Sequence, residues 1–121
     1  MNIQIYGTKK SNDTKKADRF FKERAIKFQF VDLSANKMSP GELRSILNSL
    51  KLRLDDIVDY DSKFIDSTYY KYLASDEAKL EKVIENQSML KQPIVRNGKR
   101  ATLGLCVEEW KKWIEEEKNG H

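Results

Sequence analysis

The sequence predicts an α/β protein: a mixed four-stranded sheet flanked by helices, with a helical segment inserted at about 39–86. Three observations lead there. The chain opens on a strand, a helix and a second strand within roughly 30 residues, the length of a βαβ unit. It closes on two short strand-like runs around Asn97-Gly98, followed by an apolar-faced helix. Between these ends the apolar residues recur at helical spacing, with no strand alternation.

In the first strand, Ile3 and Ile5 alternate with Asn2, Gln4 and Tyr6. From Thr14 the period changes: Ala17, Phe20, Phe21 and Ala25 define one helix face, and Lys15, Lys16, Arg19 and Lys22 the other. Phe28 and Phe30 then alternate with Lys27, Gln29 and Val31, giving a second strand parallel to the first. Ser39-Pro40-Gly41-Glu42 carries the cap, the first-turn proline and the reciprocal acid of a helix start, and Leu43, Ile46, Leu47 and Leu50 follow as its apolar face. Leu54, Ile57 and Val58 suggest a short helix, and an Asp-, Ser- and Tyr-rich stretch covers 59–70. Ser75-Asp76-Glu77 opens a helix that buries Leu80, Val83 and Ile84. Pro93 to Arg96 and Arg100 to Leu103 flank Asn97-Gly98, a hairpin signal for a type I′ turn. Gly104 ends the hairpin, and Val107 to Glu117 forms the last helix with Trp110, Trp113 and Ile114 on one side.

The 121 residues suit a single domain, 1–121, able to bury a core without metal or disulfide. Hydrophobic residues make up 39% and charged residues 35%, which fits a globular protein with a heavily charged surface. No apolar run approaches the length of a membrane span and no signal peptide is evident, so the cytoplasm is expected. Cys106, the sole cysteine, excludes an internal disulfide framework and a cysteine-rich zinc site; with no second thiol to resolve it, a place at a helix start suits it better than a redox role. The net charge of +4 comes from lysines interleaved with acids, which reads as solvated helix faces rather than a nucleic-acid stripe. The acids Asp55, Asp56, Asp59 and Asp61 lack a cation-binding loop pattern, and no metal site is expected.

The turn from Gly7 to Thr14 concentrates the chemistry. A loop feeding a helix start gathers unpaired N–H groups and the positive end of the helix dipole, an arrangement that holds anions or lowers a cysteine pKa. The residue there is Ser11. Ser11, Asn12 and Asp13 are all good helix caps. Serine is also the one-atom replacement of cysteine, so Ser11 stands either for natural loss of a thiol or for an exchanged cysteine.

Three segments carry a family resemblance over nearly the whole chain. Tyr6-Gly7-Thr8-Lys9-Lys10-Ser11 through Lys15-Lys16-Ala17, then Gln92-Pro93-Ile94-Val95, then Gly98-Lys99-Arg100 through Leu103-Gly104, are similar to the thioredoxin-fold arsenate reductases (ArsC type) and the Spx-type transcription regulators. The resemblance implies a thioredoxin-like fold, a proline at Pro93 that is typically cis and sits beside position 11, and a pocket built from Lys10, Ser11, Asn12, Asp13, Thr14, Gln92, Pro93 and Arg100. In the enzymes a cysteine at position 11 attacks the oxyanion, and some relatives carry a second cysteine where this chain has Thr14.

This chain departs from that pattern. Ser11 cannot form the thiol–arsenic or mixed-disulfide bonds of the reduction, and the only histidine, His121, is remote in sequence. The arginine expected before the proline is Gln92, and the middle arginine falls in Val58-Asp59-Tyr60-Asp61, whose acids repel an oxyanion. The last arginine aligns near Leu105, which leaves Lys10 and Arg100 as candidate anion contacts. The function expected is therefore a non-catalytic binding or regulatory protein. By likeness to Spx its partner would be RNA polymerase, without direct nucleic-acid reading and without a membrane. The alternatives are a thiol-dependent oxidoreductase represented by a Cys-to-Ser form, and a glutathione-binding module acting on a small thiol or anion.

Overall fold

The computed structural model describes residues 1–61 and 69–119. Its sheet has the order β2-β1-β3-β4, with β1 at Ile3–Gly7, β2 at Phe28–Asp32, β3 at Ile94–Asn97 and β4 at Arg100–Leu103. β1 and β2 are parallel, and β1·β3 and β3·β4 are antiparallel. Helix α1, Asn12–Glu23, connects the parallel pair. Helices α2 (Pro40–Leu50), α3 (Leu54–Ile57) and α4 (Asp76–Glu85) lie between β2 and β3, and α5 (Val107–Asn119) closes the chain. The mixed four-stranded sheet flanked by helices is thus as the sequence predicts. The centre of the Asp-, Ser- and Tyr-rich stretch and His121 lie outside the described residues.

Each face of the sheet is covered by its own core. On one, Ile3, Ile5 and Val95 meet Ala17, Phe20 and Phe21 of α1 and Trp110 and Trp113 of α5. The Trp110 indole donates to the Thr102 hydroxyl at 2.9 Å, which satisfies its buried N–H. On the other face, Tyr6, Val31 and Ile94 meet Leu43 and Ile46 of α2, Ile57, Tyr70, Val83 and Met89. Tyr6, placed by alternation opposite Ile3 and Ile5, is therefore buried as fully as they are, because the helical segment roofs its side. Its phenol donates to Glu42 at 3.3 Å, and burial raises its pKa against the pull of the neighbouring Arg96.

The helix starts follow their sequence signals. Ser39 accepts from the Glu42 N–H at 3.1 Å while the Glu42 carboxylate accepts from the Ser39 N–H at 3.2 Å, with Pro40 in the first turn. Ser75 caps α4 through the Ala78 N–H at 3.1 Å. Cys106 sits at the start of α5, its carbonyl accepting from the Trp110 N–H at 3.0 Å.

Three local expectations need correction. Ala25 is not on the buried face of α1. The helix ends at Glu23, and Ala25 is exposed with φ +55°, closing a Schellman turn in which the Ile26 N–H reaches the Phe21 carbonyl and the Ala25 N–H the Lys22 carbonyl. Ile26 then packs in the cluster that holds Phe21, and that contact fixes the turn. Val58 leaves α3 and pairs with Leu90 in an isolated antiparallel bridge. The hairpin loop is Gly98-Lys99 rather than Asn97-Gly98. Asn97 belongs to β3, paired with both Ile3 and Arg100, so the positive φ (+61°) falls on Gly98 at the first central position, the type II′ pattern.

Candidate functional site

β1 ends at Gly7, where the chain must pass close to α1. A Cβ on Gly7 would collide with the Thr14 side chain, so only glycine lets the turn tuck under the first turn of the helix. The Ser11 N–H donates to the Thr8 carbonyl at 3.2 Å and closes the turn. Ser11 has extended backbone angles, and its Oγ accepts from the Thr14 N–H at 3.2 Å. Ser11 is thus the N-cap of α1, and its oxygen is occupied by the helix backbone. Asp13 adds a carboxylate in the first turn, where it offsets the dipole.

The residue before the cis Gln92–Pro93 bond completes this turn. Gln92 Oε1 accepts from the Thr8 N–H at 2.7 Å, from the Thr8 hydroxyl at 3.1 Å and from the buried Thr14 hydroxyl at 3.4 Å. Its amide nitrogen reaches the Ser88 carbonyl at 3.5 Å. Pro93 is buried beside it, its carbonyl taking the Gly104 N–H at 2.8 Å.

A third segment brings an acid. The Lys91 N–H donates to the Ile57 carbonyl and the Asp59 N–H to the Met89 carbonyl, both at 2.8 Å, on either side of the Val58–Leu90 bridge. This short ladder places Asp59 at the turn. The resulting cavity, about 340 Å³, is lined by Ser11, Asn12, Asp13, Asp59, Leu90 and Gln92.

Of the eight residues expected in the pocket, Ser11, Asn12, Asp13 and Gln92 line this cavity, while Thr14 and Pro93 support it from below and beside. Lys10 is exposed in the turn and does not line it. Arg100 belongs elsewhere. It pairs with Asn97, which pairs with Ile3, so it sits at the end of the sheet opposite Gly7 and Ser11. There its guanidinium holds Glu116 at 2.8 Å and stacks toward Trp113, and this bond raises the Arg100 pKa and lowers that of Glu116. Because β3 is antiparallel to β1 and β4 to β3, β4 runs parallel to β1, and its first residue lies beside Ile3, away from the turn that follows β1. Thr8 and Leu90 were missed from sequence. Thr8 is marked by its place in the turn motif, whereas nothing local marks Leu90, which arrives through the ladder with 57–59. Among the described residues no group of His, Cys, Asp and Glu is placed to hold a metal ion.

The arrangement has helix-start geometry with part of its donors taken, the Thr14 N–H by Ser11 Oγ and the Thr8 N–H by Gln92 Oε1. The Thr8 and Thr14 donors face Gln92 Oε1, and the carboxylates of Asp13 and Asp59 line the space an oxyanion would enter. Such a site disfavours an anion, and it holds no thiol.

The β2-β1-β3-β4 sheet with a helix start after β1 is that of a thioredoxin-like protein. The profile of the ArsC family matches residues 6–113, and the chain belongs to that family. Over 125 residues it is 26% identical to the global transcriptional regulator Spx 2 of Oceanobacillus iheyensis, covering all of this chain and 90% of that one. The Spx 2 of Bacillus cereus is 27% identical over 116 residues, 93% of this chain and 86% of the relative. Among solved structures, the arsenate reductase of Vibrio cholerae superposes with a TM-score of 0.79 at 18% identity, over 93% of this chain and 97% of that one. No helix among the described residues is long and apolar enough to cross a membrane.

Proposed function

We propose that this ArsC-family chain is a non-catalytic binding protein that acts through a protein partner rather than by reducing an oxyanion. One observation carries the proposal: at the position that the family resemblance gives to the nucleophile the chain has a capping serine, in a cavity where Gln92 is engaged by the Thr8 N–H and whose walls carry Asp13 and Asp59. An alcohol oxygen without an adjacent base is a poor nucleophile, and among the described residues the side-chain hydrogen bond of Ser11 is the one its Oγ accepts from the Thr14 N–H. The curated relatives are named as global transcriptional regulators, which makes RNA polymerase the first partner to test.

Two measurements test this function. In a coupled assay with glutathione and glutaredoxin, the protein should give no arsenate reduction, and turnover above the no-enzyme rate would overturn the proposal. In biolayer interferometry the immobilised protein should bind purified RNA polymerase, and calorimetry with glutathione at millimolar concentration should show no heat. Glutathione binding without polymerase binding would replace the regulatory function with that of a thiol-ligand module. An exchanged cysteine is tested by Ser11→Cys: a thiolate formed well below the free value of about 8.5 would mark an oxidoreductase site.

A further inference from the structure

β2 is an edge strand. Among the described residues it pairs only with β1, so along Phe28–Asp32 one row of backbone donors and acceptors is unused by the sheet. Against this edge lies a groove of about 480 Å³ between α1 and β2, lined by Phe28 and Phe30 and rimmed by Lys9, Lys15 and Lys22, with Thr8 and Thr14 at one end. Phe28 and Phe30 are only half-buried, although both belong to the core on their side of the sheet. The charges facing the groove do not balance. Lys22 is paired with Asp18 at 2.9 Å, the one acid in the lining. Asp32 is close enough to Lys9 to feel its charge, but its carboxylate is committed to the Ser34 hydroxyl at 2.6 Å and the Ser34 N–H at 2.9 Å, which lower its pKa. Lys9 and Lys15 are exposed and make no ion pair among the described residues.

We propose that this groove docks an extended acidic segment of a partner protein. The segment adds a strand to the free edge of β2, sets alternate apolar side chains on Phe28 and Phe30, and pairs its carboxylates with Lys9 and Lys15. Backbone pairing supplies affinity, and the lysine rim selects the sign of the partner. A second copy of this chain fits the edge poorly, since pairing β2 with its own copy brings two lysine rims to one seam. The groove adjoins the Ser11 cavity at Thr8 and Thr14 but shares no lining residue with it, and the inference does not rest on what Ser11 does.

The test is selection of a display library of random peptides on the full chain, with the Lys9→Glu/Lys15→Glu variant as counter-target. Both lysines are exposed, and the variant is checked for its fold by circular dichroism. Recovered peptides should be acidic with alternating apolar residues. A synthetic copy should shift the amides of Phe28, Gln29 and Phe30 in heteronuclear NMR spectra and bind the variant about tenfold more weakly. The proposal is overturned if no peptide is enriched over the counter-target, if the enriched peptides are neutral or basic, or if their shifts fall outside β2 and α1. It is also overturned if a single-stranded oligonucleotide moves the same amides at lower concentration than the best peptide, since the lysine rim would then serve nucleic acid.

Discussion

The side-chain carbonyl of Gln92 accepts a hydrogen bond from the Thr8 backbone N–H at 2.7 Å, tying the residue before Pro93 into the turn after β1. An arginine at position 92 would present donors only and leave the Thr8 N–H to a ligand. Compared with an arginine, Gln92 brings no positive charge, and it consumes a backbone donor that an anion would use.

The first prediction follows from this. In Ser11→Cys alone, Asp13 and Asp59 in the cavity keep the thiol near the ordinary value of about 8.5. Adding Gln92→Arg and Asp59→Asn supplies one positive charge and removes one negative charge, which lowers the thiol pKa by about one to two units. The rate of alkylation by iodoacetamide against pH measures both variants. Equal pKa values would show that neither residue sets the field at position 11.

Gly7 is a steric requirement. A Cβ there meets Thr14 Cγ2 at 2.6 Å and Thr14 Cβ at 3.0 Å, and Thr14 is buried with little room to move. Gly7→Ala should therefore cost about 2–3 kcal/mol by overpacking. Adding Thr14→Ala should recover part of this, because the clash with Cβ remains. Urea midpoints of the single and double variants test the pair, and a Gly7→Ala midpoint equal to that of the parent would refute the packing argument.

Ala25 holds a left-handed conformation, φ +55°, in an exposed turn where a Cβ is unfavourable. Ala25→Gly should stabilise the protein by up to about 1 kcal/mol, since the strain relieved exceeds the entropy glycine adds to the unfolded chain. Lys51, with φ +58° at the end of α2, should behave alike. A lower thermal midpoint in Ala25→Gly would argue that the Phe21–Ile26 packing, rather than backbone strain, governs the turn.

Asp55 carries a pH dependence. Its pKa is lowered first by the Tyr70 hydroxyl, which donates at 2.7 Å, and then by Lys79 at 3.2 Å; burial, and then the same contact, push the Tyr70 phenol upward. A depressed carboxyl adds stability above its unfolded value of about 3.9, and that stability is lost as pH falls through the folded value below it. Its side chain is 35% exposed, so solvent screening holds the effect under about 1 kcal/mol. Asp55→Asn keeps an acceptor for Tyr70 and removes the charge. It should be less stable than the parent at pH 7, with the difference shrinking toward pH 3. A constant gap in denaturation midpoint between those pH values would contradict the linkage.

Much of the fold is legible because its signals are local. Ile3 and Ile5, the Ser39–Glu42 box and the Trp110–Trp113 face each announce an element within a few residues. The misjudged positions depend on pairing at a distance. Asn97 looked like a turn residue, and only its pairing with Ile3 makes it the end of a strand. Arg100 looked available to the turn until that same register placed it at the far end of the sheet. Ala25 matched the helix period, but the Ile26–Phe21 closure ended the helix before it. At the cavity, Ser11 and Gln92 were singled out by the family resemblance, whereas Leu90 is brought in by the pairing of 57–59 with 89–91.

That pairing divides labour along the chain. β1, the start of α1 and the Gln92–Pro93 bend form the frame around position 11, while Asp59 arrives from the helical segment on two backbone hydrogen bonds and one bridge. Backbone pairing is indifferent to the side chain it carries. Part of the cavity's charge can therefore be changed by one replacement at position 59 without repacking a strand or a helix. In this chain the frame carries one of the cavity's two carboxylates and a separate segment carries the other, so a close match of the sheet leaves the charge of what it receives open.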